Sequence, residues 1–147
     1  GILFNHESPL RNENFVTKKI IKGAIQSSKD KNYKIKLGNI NIIRDWGWAE
    51  EYVEAMQIIT RSEKISDQII CTGKKLSLKD FVEKVYKKFD LNWKEYVNIN
   101  EQLYRANEVK ISFGDPTGLF QSNNWKAKID IDQIIFKLIE DQQQRII

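Results

Sequence analysis

The chain has 147 residues, with 24 Lys and Arg against 20 Asp and Glu, 41% hydrophobic and 30% charged residues, and a single cysteine. This length and balance describe a soluble globular domain with room for a real core. They exclude an intrachain disulfide, a membrane-spanning helix, for which no apolar run approaches the roughly 20 residues needed, and a structural zinc site, for which no Cys or His cluster has ligand spacing.

Ile2-Leu3-Phe4 reads as a strand buried on both faces, because a strand with one wet face would alternate. It stops in Asn5-His6-Glu7-Ser8, and Pro9 prevents the ladder from continuing. A polar loop, Glu7 to Asn14, follows and contains Arg11. Val16, Ile20, Ile21, Ala24 and Ile25 recur at helical spacing, predicting a helix over residues 15–28. Tyr33, Ile35 and Leu37 alternate with lysines as a half-buried strand, and Gly38-Asn39 marks a turn before an extended Ile40–Ile43 segment.

The face Ala49, Tyr52, Val53, Met56, Ile59 and Thr60 predicts a helix over residues 49–61. Gln68–Thr72 reads as a short strand closed by Gly73. Ser77 with Asp80 three residues on gives a capping signature, and Leu78, Phe81, Val82, Val85, Tyr86 and Phe89 form the helix behind it. A strand is expected near Tyr96–Ile99. Asp115-Pro116 opens one further helix, and Asp130 caps a last one built on Ile131, Ile134, Ile135, Leu138 and Ile139. There are no repeats and no linker, so residues 1–147 are expected to form one α/β unit.

Four polar clusters invite a functional reading. Polar groups past the carboxyl end of a buried strand sit where open α/β sheets bind ligands, which singles out Asn5-His6-Glu7-Ser8 and Arg11. Arg44-Asp45-Trp46-Gly47-Trp48 admits two readings: an ion pair and core tryptophans, or an Arg gripping a phosphate or carboxylate. Arg105 and Glu108 are either a weak surface pair or a phosphate contact beside an acceptor of ribose hydroxyls. Thr17-Lys18-Lys19 lies on a helical first turn, where anions are favoured. The positive excess suits a phosphate-bearing small molecule. Lysines and aromatics are not clustered together, which disfavours a nucleic-acid partner. One thiol fits a reducing, cytoplasmic compartment.

The order and wording of these clusters resemble the GDP-mannose 4,6-dehydratases, a family of extended short-chain dehydrogenase/reductases. The resemblance rests on Ile2 to Pro9, Phe15-Val16-Thr17 with the lysine pair, Leu37-Gly38-Asn39, Arg44-Asp45-Trp46-Gly47, Glu51 to Met56, Thr72-Gly73, Arg105 with Glu108-Val109, and Gly114-Asp115-Pro116. It implies the α/β, C-terminal substrate-binding portion of such an enzyme, the N-terminal Rossmann domain lying outside this segment. The family's glycine-rich turn and Tyr-x-x-x-Lys pair do not occur here, so no catalytic residue is expected in the segment, which alone would be inactive. The implied reaction of the full-length enzyme takes hydride from the hexose of GDP-mannose, loses water and returns the hydride, with NADP as carrier. A sister reductase or epimerase on another sugar nucleotide, or an interaction module that kept the fold, are the alternatives.

The resemblance assigns His6 and Arg11 to the cofactor, with Arg11 also reaching toward a neighbouring subunit. It assigns Asn5 and Lys19 to the sugar nucleotide, Val16 to the base, and Gly38 and Asn39 to the guanine side. Arg44 falls to the pyrophosphate, and Arg105 and Glu108 to phosphate and ribose. A homo-oligomer is expected, and no metal. Three positions depart from the family wording: Leu10-Arg11-Asn12 stands for Arg-Arg-Gly, Trp48 for the usual His, and Arg105-Ala106-Asn107-Glu108 for Arg-Pro-Ala-Glu.

Overall fold

In the computed structural model, which describes residues 1–63 and 66–145, the opening run divides into two strands with different partners. β1 (Ile2–Leu3) runs parallel to Ile69–Ile70, while β2 (Asn5–Glu7) runs parallel to Trp46–Trp48. The doubly buried strand expected from Ile2-Leu3-Phe4 is corrected: Ile2 is 57% exposed, and Leu3 and Phe4 are only half-buried. Among the described residues β1 pairs with one strand only. Asn5 and His6, expected past the end of the strand, and Glu7, expected to open the loop, form the second strand, and Glu7 is buried there.

α1 (Val16–Lys29) carries the expected apolar face, with Ile20, Ile21, Ala24 and Ile25 all buried. Thr17, Lys18 and Ser27 are buried too, because other elements pack against more than one side of this helix. Lys18 is tolerated there because its ammonium meets Asp141 at 3.3 Å and donates to the Pro9 carbonyl. β3 (Ile35–Leu37) alternates as expected, with Lys36 outward. β4 (Ile43–Arg44) and β5 (Trp46–Trp48) are separated by Asp45 alone.

α2 (Ala49–Thr60) follows β5 directly, and its predicted face is shifted. Tyr52 and Ala55 are buried, whereas Val53 and Met56 are exposed. The helix rests on β2 and β5, and its buried side joins Leu119 and Trp125 in an apolar cluster. β6 (Ile69–Ile70) is the partner of β1. β7 (Leu76–Ser77) leads into α3 (Leu78–Lys87), where Ser77 Oγ accepts from the Asp80 amide at 3.0 Å, as the cap signature predicts.

A 3-10 turn at Trp93–Glu95 precedes β8 (Val97–Ile99), which lies parallel to β3, and a second at Glu101–Leu103 follows it. β9 (Ile111–Ser112) pairs in parallel with β4, and β7 pairs with β4 from the other side, antiparallel. α4 (Thr117–Asn123) starts after Pro116, with Asp115 accepting from the Thr117 amide at 2.9 Å. α5 (Ile131–Gln144) opens on a full capping box between Asp130 and Gln133.

Two apolar clusters hold these pieces. The larger joins α1, α3 and α5 to β3, β8 and the tryptophans of β5. The smaller gathers Tyr52, Ala55, Ile70, Leu119 and Trp125. Both tryptophans of Trp46-Gly47-Trp48 are core residues, as the first of the two readings of that segment expects. Trp48, which stands for the family's His, fills the space before α5 with its indole nitrogen donating to Glu50 at 3.2 Å.

Candidate functional site

Alternation along β2 divides its three polar residues between two sides. Asn5 and Glu7 face a cavity of about 460 Å³, within the span of roughly 300–1,000 Å³ for small-molecule sites. His6 faces the other way: its ring meets Tyr52 edge-on at 4.9 Å, and Nδ1 lies 2.9 Å from the Phe4 carbonyl.

The cavity lies beyond the carboxyl ends of β2, β3 and β4, the general position of ligand sites in α/β folds. Past β2 the chain supplies Arg11, and the first turn of α1 supplies Val16. Past β3 it supplies Gly38 and Asn39. A Cβ on Gly38 would stand 2.8 Å from the Leu103 carbonyl oxygen, so this wall requires glycine. Asn39 Oδ1 accepts from the Asn41 amide at 2.9 Å, which shapes the loop. Arg44 enters from β4, and its Nη1 donates to the Ile43 carbonyl at 2.8 Å.

Arg105 and Glu108 close the cavity from the loop after the second 3-10 turn. They form no ion pair with each other; the Glu108 amide donates to the Arg105 carbonyl at 3.3 Å, which leaves both side chains to the cavity. Nor does Arg44 pair with Asp45. Asp45 is fully buried and accepts from the Thr72 amide, the Thr72 hydroxyl and the Gly73 amide at 2.7–3.0 Å, so it fastens β5 to the chain after β6.

Eight of the ten residues singled out in the sequence thus surround one cavity: Asn5, Arg11 and Val16; Gly38, Asn39 and Arg44; Arg105 and Glu108. His6 and Lys19 stand apart from it. Lys19 lies exposed on α1 and donates to the Lys36 carbonyl at 2.6 Å. Glu7, Phe15 and Thr17 line the cavity as well; Glu7 and Thr17 belong to the polar clusters of the sequence but carried no ligand assignment, and Phe15 was in none of those clusters. Asn5-His6-Glu7 is polar throughout and was read as lying past the strand, so the sequence carried no periodic signal that Glu7 turns inward.

Glu7 is the most buried of the cavity's charges, at 1% exposed. Its Oε2 accepts from the Thr17 hydroxyl at 2.9 Å and lies 3.5 Å from Arg11 Nε. Burial raises its pKa above the usual carboxylate value, against the pull of Arg11, Thr17 and Lys18. Elsewhere, burial pushes the Cys71 thiol up to about 11, with Asp45 adding to the effect, which removes it as a thiolate nucleophile near neutrality.

Three guanidinium groups against two carboxylates, together with asparagine amides, form a surface for a polar anion. Of the two residues expected at the cofactor, Arg11 lines this cavity, and His6 packs against Tyr52 on the other side of β2.

The fold is that of part of an extended short-chain dehydrogenase/reductase. RMD from Pseudomonas aeruginosa, solved with NADPH, superposes with a TM-score of 0.81 at 20% identity, over 97% of this chain and 47% of that one. UDP-glucose 4-epimerase from Thermotoga maritima, solved with UDP-glucose, superposes at 0.80 and 13% identity, over 99% and 45%. The GDP-mannose 4,6 dehydratase family model matches residues 1–138, and the chain belongs to that family. GDP-mannose 4,6 dehydratase 1 of Arabidopsis thaliana is 37% identical over 141 residues, which are 96% of this chain and 39% of that protein. The chain therefore spans about two fifths of the curated relative it matches.

Proposed function

We infer that this chain is the GDP-sugar-binding part of a GDP-mannose 4,6-dehydratase. In the full-length enzyme it would hold GDP-mannose during conversion to the 4-keto-6-deoxy sugar nucleotide, with NADP as the cofactor. The observation carrying this reading is that Asn5, Gly38, Asn39, Arg44, Arg105 and Glu108, drawn from separate parts of the chain, line one cavity. Such a surface has groups for each part of the ligand: guanidinium for phosphates, a carboxylate for ribose hydroxyls, and backbone near Gly38 for the base.

The residues around the cavity bind and orient. Two arginines offer planar donor pairs to a diphosphate, which fixes its position as well as attracting it. Glu108 can accept two hydroxyl hydrogen bonds while ionised. In this reading NADP carries the hydride and the proton-transferring groups belong to the rest of the full-length enzyme, so the segment alone would turn over no sugar nucleotide. The compartment in this reading is the cytoplasm; no described helix is long and apolar enough to cross a membrane. Association into a homo-oligomer belongs to the same reading.

The test is calorimetry on a full-length protein carrying this segment. An Arg–phosphate hydrogen-bonded pair is worth on the order of 1.5–3 kcal/mol, so Arg105→Ala should weaken GDP-mannose binding by about ten- to a hundredfold. Unchanged affinity would overturn the assignment of this cavity to the sugar nucleotide.

A further inference from the structure

No residue of the loop from Ser8 to Phe15 is buried, so packing does not fix its place. The loop turns on itself, the Arg11 amide donating to the Ser8 carbonyl and the Phe15 amide to the Asn12 carbonyl, both at 3.1 Å. Its middle is tied to the opposite end of the chain. The Pro9 carbonyl accepts from Lys18 Nζ on α1 at 3.2 Å and from Arg145 Nη2, just past α5, at 3.2 Å. Both its lone pairs therefore meet cations. Each cation also meets Asp141 in the last turn of α5, Lys18 Nζ at 3.3 Å and Arg145 Nε at 3.0 Å. A carboxylate in that turn opposes the helix macrodipole, so the helix alone does not favour it there. Lys18 is 3% exposed, and its charge has to be matched where water is excluded.

We propose that the end of α5 is a latch on the loop after β2, with Asp141 as a positioning residue that acts through Lys18 and Arg145 on the Pro9 carbonyl. Arg11 and Asn14 of this loop line the cavity, so one of its walls is held by residues outside it. Pro9, Lys18, Asp141 and Arg145 do not line the cavity, and the latch is independent of what the cavity holds. The loop's other ion pairs do not replace it. Arg11 Nε lies 3.5 Å from Glu7, a contact that sets a side chain rather than the turn. The Glu13–Lys22 pair is 69% and 36% exposed, where such pairs contribute little. Lys18 is buried, and hydrogen bonds from an ionised donor are the stronger kind. Arg145 is 51% exposed, so its arm of the latch is the weaker one and the more sensitive to salt.

The experiment is amide hydrogen exchange of the isotopically labelled chain, read residue by residue by nuclear magnetic resonance. Asp141→Asn should speed exchange of the Arg11 amide about tenfold, and Arg145→Ala about threefold. The α1 amides of Ile21 and Ala24 should keep their wild-type rates in Arg145→Ala. Arg145→Lys should recover part of the loss, since it keeps the charge without the fork that spans Asp141 and Pro9. In the wild type, about 1 M salt should bring the Arg11 rate close to that of Arg145→Ala. Asp130→Ala is the control: it weakens α5 at its other end and should leave the Arg11 rate unchanged. An Arg11 rate that rises as much in Asp130→Ala would make the effect one of helix stability and overturn the latch. Unchanged Arg11 exchange in Arg145→Ala, which removes a half-exposed side chain, would overturn it as well, whether or not Asp141→Asn folds.

Discussion

Glu7 places a carboxylate where water does not reach, and the consequence is a pH dependence that can be isolated. Its folded pKa is raised above the ordinary 4.5, chiefly by burial. The folded state therefore binds the proton more tightly than the unfolded chain does, and the contribution of Glu7 to stability is full below about pH 4.5. It is lost as the pH rises through the raised folded pKa. Urea titrations of the wild type and Glu7→Gln should thus show the wild type relatively more stable at pH 4.5 than at pH 7, with the difference falling steadily between them. A difference that grew with pH would mean that Arg11 and Thr17 overcome the burial of Glu7. At this scale the residue wording was informative for Arg44, Arg105, Gly38 and Asn39, because their chemistry is local. It was uninformative for Glu7 and Phe15, whose roles arise only when a strand and a helical first turn converge on one arginine.

Among the elements, the helices follow from periodicity and caps, while most of the strands do not. The capping box of α5 joins the Asp130 carboxylate to the Gln133 amide and the Gln133 side chain to the Asp130 amide. Replacing Asp130 with Ala should lower stability by about 1 kcal/mol in chemical denaturation, with the cavity unaffected. No loss of stability would show that α5 is held by its packing against α1 alone. α1, α3 and α5 each show three or four turns of apolar spacing, enough to identify them in the sequence. β7 and β9 are two residues long, and a period of two cannot be read from two residues. β2 and β5 were hidden for a related reason: Asn5-His6-Glu7 is polar throughout, with one side lining the cavity and His6 packed on Tyr52, and Trp46-Gly47-Trp48 is buried throughout, so neither alternates. The outer face of α2 misled in the opposite sense. Val53 and Met56 are apolar and recur at helical spacing, yet they are exposed, so the hydrophobic pattern pointed to the wrong face.

For the molecule as a whole, the chain matches the family over most of its own length but under half of the relatives' length. Exposed Ile2 and Ile69 on the β1–β6 pair, with Val53 and Met56 on α2, are apolar surface that no described residue covers. The cavity, by contrast, is built wholly from this chain, with Gly38, Arg44 and Arg105 brought from three distant stretches to one wall. If the cavity holds the sugar nucleotide as proposed, the chain should distinguish nucleotides by itself. The most direct measurement is nuclear magnetic resonance of the isotopically labelled chain, titrated with GDP and then, in a separate sample, with NADP. Amide shifts on GDP addition should concentrate at Asn5, Gly38, Asn39, Arg105 and Glu108, leave the lysines of α3 (Lys84 and Lys87) unmoved, and fail to appear at those cavity positions with NADP. Shifts centred on the α3 lysines, or equal responses to both nucleotides, would contradict the assignment of this cavity to a guanosine-diphosphate sugar.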